Sequence, residues 1–512
     1  MNHPNLSQTS TPLLDALYQC AQRPHAAFYT PGHKRGQGIH SKLSAVMGDR
    51  VFQADLPELP DLDNLFAPVG VICQAQELAA QAFGAEQTWF LANGSTCGIE
   101  AAILAVCNPG DKIILPRNVH QSAIAALILS GAVPVFMQPD YDPSWDIAHS
   151  VSLATVAATL EQHSDAKAVM VVCPTYYGVC GNLEAIAQLV HHYQIPLLVD
   201  EAHGAHLAFH PDLPPSALAS GADLTVQSTH KTLGAMTQSA MVHVQGDRID
   251  RDRLQRSLQL VQSTSPSFVL LASLDAARHQ MAMQGRDLLS QTLALADIAR
   301  TQLSQISGIS VLEPTHLKGF LGAAYLDRTR LTVNVTQLGL TGFEADEILH
   351  KTLGITAELP SLRHITFIIS IGNTPQDIGH LIQGFKALSQ SLLRQQLSDD
   401  SNEIRAVSDE ISDAKRFSYP AFLNASTPIA QSLILPREAF FAPSEMVAMT
   451  QAVDRISAEL VCPYPPGIPV LVPGEPITTE AIAYLQHVLD TGGVITGCVD
   501  ATLSTLKVVK AC

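Results

Sequence analysis

Two segments that follow each other along the chain decide the fold: Ile195-Pro-Leu-Leu-Val-Asp200-Glu-Ala-His203 and Ala222-Asp-Leu-Thr-Val-Gln-Ser228-Thr-His-Lys231-Thr-Leu-Gly234. Each segment begins with a short apolar run, which is typical of a strand buried on both faces, and continues into polar residues. The stretch between them is long enough for one helix-sized crossover. We therefore expect two strands of one sheet, with Asp200 at the end of the first and Lys231 just after the second.

Similar apolar runs recur from about residue 85 to residue 245. Candidate strands lie at 112–116, 133–137, 168–173, 195–199, 223–227 and 240–244. Amphipathic stretches such as 183–192 lie between several of them, with apolar residues at helical spacing. This alternation predicts a mostly parallel sheet in an α/β layer. Because ligands collect at the carboxyl ends of the strands in such sheets, the polar residues that follow the strands are site candidates.

The rest of the chain predicts further domains. Residues 248–303 have a mostly helical pattern, interrupted by a Ser/Thr/Pro segment at 263–267. Strand-like pieces at 331–335 and 364–371 mix with helices, and the polar, acidic stretch 395–415 is typical of an exposed connector. A chain of 512 residues exceeds what one core usually serves. We expect an N-terminal arm at 1–60, a large domain at 61–305, a small α+β domain at 306–392, a connector at 393–415 and a C-terminal domain at 416–512.

The charge of the chain excludes several classes of partner. A formal net charge of −17 argues against nucleic acid and against an anionic membrane surface. The N-terminus lacks the basic segment and apolar core of a signal peptide, and the most apolar run, 123–136, is too short to span a bilayer. Nine cysteines at irregular spacing include no CxxC pair, which fits free thiols in a reducing compartment. We expect a soluble, cytoplasmic protein without a metal site.

Lys231 is the first candidate for chemistry. It follows a candidate strand and is flanked by hydroxyls and a histidine in Ser228-Thr-His-Lys231. Desolvation and nearby positive charge favour the neutral, nucleophilic amine of such a lysine, which can then form an imine. A lysine on an ordinary surface loop would show the same short pattern, so this motif alone leaves both interpretations open.

Asp200 changes the balance between these interpretations. A carboxylate at the end of a buried strand often does no more than cap the following turn. An enzyme that uses pyridoxal phosphate (PLP), however, needs an anion at this place. The anion hydrogen-bonds to the pyridine nitrogen and keeps the ring protonated, so that the ring accepts the electrons released from Cα. A strand-end Asp followed by a crossover, a strand and a Lys is much less common than either residue alone, and the combination predicts a PLP site.

A phosphate cradle and a stacking residue would complete this site. Asn93-Gly94-Ser95-Thr96 precedes a helical run. N–H groups at a helix N-terminus, together with two hydroxyls, can hold a phosphate, although Gly-Ser-Thr is also an ordinary N-cap. Ser228 and His230 could bind the phosphate near Lys231, or merely shape the loop. His120 follows the candidate strand 112–116, where it could stack on the cofactor ring, although a lone histidine is more often structural.

Six motifs in this order resemble those of the ornithine/lysine/arginine decarboxylases, which are PLP enzymes of the aspartate-aminotransferase fold. They are Pro31-Gly-His-Lys-Arg-Gly36, Ala92-Asn-Gly-Ser-Thr96, Pro116-Arg-Asn-Val-His120, Asp200-Glu-Ala-His203, Ser228-Thr-His-Lys231 and Tyr464-Pro-Pro-Gly-Ile-Pro…Pro473-Gly-Glu475. The resemblance extends over residues 10–510. It implies the α/β architecture of the PLP-dependent transferase fold type I: an aspartate-aminotransferase-like large domain, a smaller α+β domain and a C-terminal α+β domain. The chain resembles the shorter members, which lack an N-terminal response-regulator-like domain.

The resemblance also implies a role for each matching residue. Lys231 would carry PLP as a Schiff base, Asp200 would bind the pyridine nitrogen, and His120 would stack on the ring. Residues expected to contact the cofactor further are Gly94, Ser95, Thr96, Ser228 and His230 at the phosphate and His203 near the ring. Ser263-Thr264-Ser265-Pro266 resembles the segment that reaches the phosphate of the partner subunit. The active site would therefore lie at the interface of a homodimer, with a higher oligomer left open.

The implied reaction is the PLP-dependent decarboxylation of a basic amino acid, which feeds polyamine synthesis. Arginine to agmatine is the first choice because short members are often arginine decarboxylases. Lysine to cadaverine and ornithine to putrescine follow closely. A distal cation needs a carboxylate or an aromatic group in the pocket. Glu438 and Glu445 are the candidates for this contact, although a solvated helix start would explain either one.

Three other interpretations stay open. An aminotransferase of the same fold would share Asp200 and Lys231 but needs an arginine for the substrate carboxylate, for which Arg363 is the candidate. A non-catalytic regulator on the same scaffold would have no need of an imine-forming lysine. A PLP-independent protein would lack the absorbance of the cofactor.

Overall fold

The computed structural model of the protein describes residues 6–398, 434–464 and 466–510. Its helices are α1 Pro12–Gln22, α2 Ser41–Met47, α3 Asp49–Ala54, α4 Val71–Phe83, α5 Gly94–Val106, α6 Gln121–Ser130, α7 Leu153–Gln162, α8 Leu183–His192, α9 Thr229–Thr232, α10 Arg251–Val261, α11 Phe268–Leu303, α12 Gly342–Leu353, α13 Pro375–Ser398, α14 Pro436–Phe441 and α15 Thr479–Asp490.

Its strands are mostly short. They are β1 Gln87–Leu91, β2 Lys112–Pro116, β3 Val133–Met137, β4 Tyr141–Asp142, β5 Ile147–Ala148, β6 Ala168–Val172, β7 Val179–Cys180, β8 Leu197–Asp200, β9 Leu224–Gln227, β10 Ala240–Val244, β11 Ser310–Val311, β12 Tyr325–Leu326, β13 Arg330–Asn334, β14 Leu359–Pro360, β15 His364–Ile368, β16 Ser444–Ala448, β17 Cys462–Tyr464, β18 Val494–Thr496 and β19 Thr505–Val509.

The chain divides into two compact units. Unit 1 consists of Met1–Val106 and Pro196–Leu289, and unit 2 consists of Cys107–Ile195 and Ser290–Cys512. The domain boundaries given above from the sequence stay a prediction.

Unit 1 contains four strands in the order β1-β10-β9-β8. β8 and β9 are parallel, with Asp200 opposite Val226, whereas β10 runs antiparallel to both β9 and β1. The sheet is therefore mixed, with β10 as its antiparallel strand, which the predicted mostly parallel sheet allows. Only the one-turn helix α9 separates β9 from β10, and parallel neighbours usually need a full helical crossover.

Helix α5 packs closely on this sheet because its middle contains a glycine. A Cβ on Gly98 would lie 2.6 Å from Val226 and 2.8 Å from Leu91, both of which are fully buried. Directly opposed residues of paired strands point to the same face, so Asp200 lies on the face that α5 covers. The start of α5 also meets the residue after β9, since the hydroxyls of Ser95 and Ser228 are 2.7 Å apart. The fold thus brings strand ends and a helix N-terminus together.

Unit 2 contains the parallel strands β6-β2-β3 and a separate antiparallel sheet, β11-β13-β15-β14. This second sheet packs with α12 and α13 around an apolar core that includes Leu331, Val333, Ile365 and Phe385. A further core is formed by residues of the C-terminal region between 449 and 508 and includes Val461, Leu485 and Val508.

Several sequence-based assignments are confirmed residue by residue. The strands at 112–116, 133–137 and 240–244 and the helix at 183–192 have the predicted bounds. The expected break near 263–267 separates α10 from α11. Most of the predicted connector and the first residues of the C-terminal domain, 399–433, lie outside the described residues.

Candidate active site

Lys231 lies in unit 1 on the short helix α9, immediately after β9. Its Nζ is 3.1 Å from Nε2 of His203, and His203 is almost fully buried. Since the lysine nitrogen is the donor when it is protonated, Nε2 of the imidazole is the acceptor in that state. The structure therefore brings together two residues that the sequence placed separately, one after each strand.

Asp200 is the last residue of β8 and has only 5% exposure. Its Oδ1 accepts a hydrogen bond of 3.1 Å from the backbone N–H of Ala202. Burial raises the pKa of the Asp200 carboxyl, and the positive charge of Lys231 opposes this rise. Asp200 and Lys231 therefore interact electrostatically within the same unit.

The candidate phosphate residues surround the N-terminus of α5. Gly94 begins the helix with a φ of 75°, a left-handed conformation that glycine adopts without steric cost. Ser228 is fully buried and donates a hydrogen bond from its Oγ to the Oγ of Ser95, whereas Thr96 is exposed. The first N–H groups of a helix have no partner within the helix. This end of α5 thus offers hydroxyls and N–H groups to an anion.

His230 is held by its own loop. Its Nδ1 donates a hydrogen bond of 2.9 Å to the carbonyl of Ser239, which leaves the proton of the neutral ring on Nδ1. The N–H of Lys231 donates to the carbonyl of Ser228 at 3.0 Å. These contacts fix the turn that carries Lys231. His230 therefore has a structural role in this turn, and its role in binding phosphate stays a prediction.

The loop after α10 lies near the same helix start. The N–H of Ser263 donates to Oδ1 of Asn93 at 3.3 Å, and the N–H of Ala92 donates to Oε1 of Gln262 at 3.1 Å. Thr264 and Ser265 are exposed. The structure therefore places this loop beside the Asn93 turn of its own chain, and a reach to a partner subunit stays a prediction.

A buried polar network on the other face of the sheet was missed by the sequence analysis. Glu201 follows Asp200, so its side chain points away from it. Oε2 of Glu201 accepts hydrogen bonds from Gln227 at 2.8 Å and from Thr225 at 3.2 Å, and Oε1 accepts one from the N–H of Ala217 at 2.7 Å. Burial raises the pKa of Glu201 to about 7. The doublet Asp200-Glu201 at a strand end was the signal available in the sequence.

The network continues across two more strands and has a single polarity. Gln227 uses its amide N–H for Glu201, so its Oε1 accepts from Nε2 of His243 at 3.1 Å. Nδ1 of His243 then accepts from the hydroxyl of Thr88 at 2.7 Å. Burial lowers the pKa of His243 to about 3, which keeps the imidazole neutral, and the acceptor Oε1 of Gln227 leaves the ring proton on Nε2. The network thereby ties β1, β10 and β9 to the residue after Asp200.

His120 lies in unit 2, between β2 and α6. It caps α6: its Nδ1 accepts from the N–H of Ser122 at 3.2 Å and contacts the hydroxyl of the same serine at 2.9 Å. Its position after a strand is as the sequence indicated. Its stacking role stays a prediction.

The two candidate substrate carboxylates lie in unit 2 with local partners. Glu438 accepts from the N–H of Leu435 at 3.3 Å at the start of α14, which is the helix-start role that the sequence allowed. Glu445 lies in β16, not at a helix start, and pairs with Arg455 at 2.7 Å. Arg363, the aminotransferase candidate, donates to the carbonyl of Pro143 at 3.2 Å. A substrate role for any of the three stays a prediction.

Within 6–398, 434–464 and 466–510, no helix combines the length and the apolar character needed to cross a bilayer. Over the same ranges, no three His, Cys, Asp or Glu side chains come together in a group that could hold a metal ion.

Comparison with protein families gave two matches. The family described as Orn/Lys/Arg decarboxylase, major domain, matches residues 11–377, and the C-terminal domain of the same family matches residues 428–497. The arginine decarboxylase of Bacillus subtilis is 39% identical over 99% of this chain and 99% of its own length. The arginine decarboxylase of Halalkalibacterium halodurans is 39% identical over 98% of each chain. A lysine decarboxylase of Pseudomonas aeruginosa is 26% identical and is covered over 75% of its length.

Solved structures show the same fold. A lysine decarboxylase of Francisella novicida has a TM-score of 0.82 with 21% identity, over 98% of this chain and 81% of that one. A serine palmitoyltransferase of Sphingomonas wittichii has a TM-score of 0.51 with 12% identity over 76% of this chain and 86% of that one. The α/β fold type I predicted from the sequence is confirmed.

Proposed function

The chain belongs to the Orn/Lys/Arg decarboxylase family, and from this premise we propose that it decarboxylates arginine to agmatine with PLP bound through Lys231. The observation that carries the proposal is the cluster of Lys231, His203 and Asp200 beside the N-terminus of α5. The choice of arginine is supported by the 39% identity over nearly the whole chain to enzymes named arginine decarboxylase.

The chemistry of these side chains fits PLP. The amine of Lys231 can form an imine with the aldehyde. A protonated pyridine nitrogen would lower the pKa of Asp200 in the same sense as Lys231 does, and so would keep the buried carboxylate ionised. The hydroxyls of Ser95 and Ser228, 2.7 Å apart, and the N–H groups at the start of α5 suit a phosphate. Gly94, Thr96, His203 and His230 complete the proposed binding residues.

The cofactor, when bound, accepts the electron pair that the breaking C–C bond releases. The chain supplies orientation and protons. Asp200 and Ser228 are buried, which excludes water from both ends of the proposed cofactor site and strengthens the interactions there. The proton reaches Cα from Lys231 or from His120. Nζ of Lys231 lies 3.1 Å from Nε2 of His203. Each turnover releases one carbon dioxide and takes up one proton.

The distal guanidinium of arginine needs a carboxylate in the pocket. Glu445 is the better of the two candidates because its partner is a guanidinium, whereas Glu438 accepts from a backbone N–H at the start of α14. Glu445 already pairs with a guanidinium, that of Arg455, so its carboxylate accepts this group in a suitable geometry. This assignment rests on chemistry and is tested below.

A homodimer with shared active sites forms part of the proposal. Unit 1 exposes four large apolar side chains, Phe28, Val46, Val69 and Leu260, each at least 80% exposed. These side chains are available for burial against a protein partner, which would remove their apolar surface from water. Thr264 and Ser265 are exposed close to Leu260 along the chain, which supports a place for this loop at the proposed interface. A higher oligomer is compatible with the same surface.

Product analysis tests the proposed reaction. The purified protein, reconstituted with PLP, receives arginine, lysine and ornithine together at equal concentration. We expect agmatine and carbon dioxide in equal amounts, with little cadaverine or putrescine. Lys231→Ala, treated in the same way, is the control and should give no product.

The same mixture separates the alternatives. Supplied with an α-keto acid, an aminotransferase would consume it and release no carbon dioxide, and that outcome would replace the proposed decarboxylation. Cadaverine or putrescine as the main product would retain the family and change the substrate. A protein that takes up no PLP would contradict the proposal as a whole.

A further inference from the structure

Two motifs that lie far apart in the sequence interlock within unit 2. Arg117, in the loop before His120, donates from Nη1 to the carbonyl of Pro469 at 2.8 Å and from Nη2 to that of Val470 at 3.2 Å. Nη2 also lies 2.9 Å from Oε2 of Glu475, and the two side chains are only 3% and 4% exposed. The loop at 466–475 is therefore held by one guanidinium at three points.

Removing either partner of this buried ion pair alone would lower the stability of the fold. Burial raises the pKa of Glu475, while the charge of Arg117 lowers it. A buried charge that loses its partner has no water to replace it. The guanidinium also stacks over Phe136, with 5.4 Å between its carbon and the ring centroid. Lysine could not replace this planar group, which serves carbonyls, a carboxylate and a ring at the same time.

The clamped loop lies against His120. The N–H of Gln121 donates to the carbonyl of Gly467 at 3.1 Å. A Cβ on Gly467 would lie 3.4 Å from Nε2 of His120 and 3.5 Å from its Cδ2. The other ring nitrogen of His120 faces Ser122 at the start of α6. The imidazole thus lies between its own helix and the loop that Arg117 holds.

We propose that Arg117 and Glu475 are positioning residues that fix the imidazole of His120 through the loop around Gly467. This proposal rests on the proposed function, in which His120 stacks on the cofactor ring. It gives a reason for the turn-rich C-terminal motif: Gly467 leaves room for the imidazole, Pro469 offers a carbonyl to Arg117, and Glu475 neutralises the guanidinium.

A double-mutant cycle tests the proposal. The variants are Glu475→Gln, His120→Ala and the combination of both, made in the full-length protein. Two quantities are measured: kcat/KM for arginine, and the apparent Kd for PLP of the apoprotein, followed by fluorescence quenching. The second needs no turnover. Because Glu475→Gln keeps the size of the side chain, it removes the charge with little change in volume.

We expect Glu475→Gln to lower kcat/KM about tenfold and to weaken PLP binding by a similar factor, which corresponds to the coupling found between residues that act through one another. In the His120→Ala background the same substitution should change kcat/KM and the apparent Kd for PLP less than about twofold, because the imidazole that Glu475 positions is absent. Equal losses in both backgrounds would overturn the proposal. So would a His120→Ala protein with wild-type kcat/KM and PLP affinity.

A second buried ion pair provides the matched control. Asp275 and Arg278 pair in unit 1 with fully buried side chains, and Asp275 also accepts from the N–H of Leu13 at 3.0 Å. Asp275→Asn should lower thermal stability as Glu475→Gln does. Its effect on PLP affinity should be the same with and without His120. Coupling of Asp275→Asn to His120 would show that the cycle reports general loosening, and would overturn the proposal.

Gly467→Ala keeps the proposal testable if Glu475→Gln does not fold. Its Cβ would be placed against the imidazole, and its backbone strain at a φ of 84° is common to both backgrounds. The loss of PLP affinity should therefore be smaller in His120→Ala than in the wild type. If the wild type binds PLP but does not decarboxylate arginine, the proposed function is wrong. The double-mutant cycle measured by the apparent Kd for PLP still tests the positioning role in that case.

Discussion

Replacing Glu201 by Gln should change how the stability of the protein depends on pH. The Glu201 carboxyl is 1% exposed, and burial raises its pKa from 4.5 to about 7. A carboxyl whose pKa is raised on folding binds its proton more tightly in the folded state. Its contribution to stability is therefore fully present below pH 4.5 and is lost as the pH rises through about 7. The amide of Gln cannot ionise, so this loss is absent from the variant.

The size of the effect follows from the shift. A rise of the pKa from 4.5 to about 7 corresponds to about 3 kcal/mol of unfolding free energy. Most of this amount falls between pH 5 and pH 8. At pH 8 the ionised Glu201 accepts from Gln227, Thr225 and Ala217, whereas a Gln side chain must turn its NH₂ group towards one of these donors. We expect this mismatch to lower the stability of the variant by a roughly constant amount of about 1–3 kcal/mol.

The assay is urea unfolding of the apoprotein at pH 5, 6, 7 and 8, followed by fluorescence. The difference in unfolding free energy between Glu201→Gln and the wild type should shift in favour of the variant by roughly 2–3 kcal/mol from pH 5 to pH 8. Glu161→Gln, at an exposed position on α7, is the matched control. Parallel curves for wild type and Glu201→Gln would show that Glu201 has no raised pKa, and would refute the reasoning.

Three other predictions concern the active site. Lys231→Ala should lose the absorbance of bound PLP at ~420 nm and nearly all turnover, and normal activity in this variant would contradict the mechanism. Asp200→Asn should lower kcat by about 10²-fold, the order seen when one preorganised electrostatic partner is lost, and a kcat within a factor of about three of wild type would make Asp200 a turn residue. Mixing Lys231→Ala subunits with an inactive Thr264→Ala variant should restore activity if the sites are shared, whereas full activity of a monomer at low concentration would exclude sharing.

The substrate assignment has its own control in the structure. Glu445→Gln should raise KM for arginine more than it changes the apparent affinity for PLP, because the variant loses the charge that would face the distal cation. Since the Glu445 side chain is 42% exposed, we expect an effect of at most about 1 kcal/mol, or about fivefold in KM. Arg455→Ala breaks the same ion pair from the other side. If both variants raise KM equally, Glu445 acts through the pair, and if neither raises it, the specificity determinant lies elsewhere.

The sequence was sufficient for the position of Lys231 and Asp200 because strands of this sheet are continuous apolar runs with polar residues at their ends. Burial on both faces leaves a signal that needs no knowledge of the partner strand. This hydrophobic pattern does not define strand direction, and β10 runs antiparallel although its own pattern resembles that of β9. The pattern also gave no prediction for β1. In β1, Gln87 and Thr88 precede the apolar residues and weaken the pattern of a fully buried strand.

The polar groups that hold these strands were harder to predict, for a physical reason. A buried carboxylate or guanidinium is tolerated only where its donors and acceptors meet it in space, and those partners lie anywhere along the chain. In the sequence, Glu201 resembles a turn residue. In the folded chain it accepts a hydrogen bond from Gln227, which in turn accepts one from His243. Arg117 looks like a surface residue of a loop until Glu475, which is 358 positions away, is found within 2.9 Å. Hydrophobic periodicity therefore predicts where the reactive residues lie, whereas their support depends on contacts that only the folded chain creates.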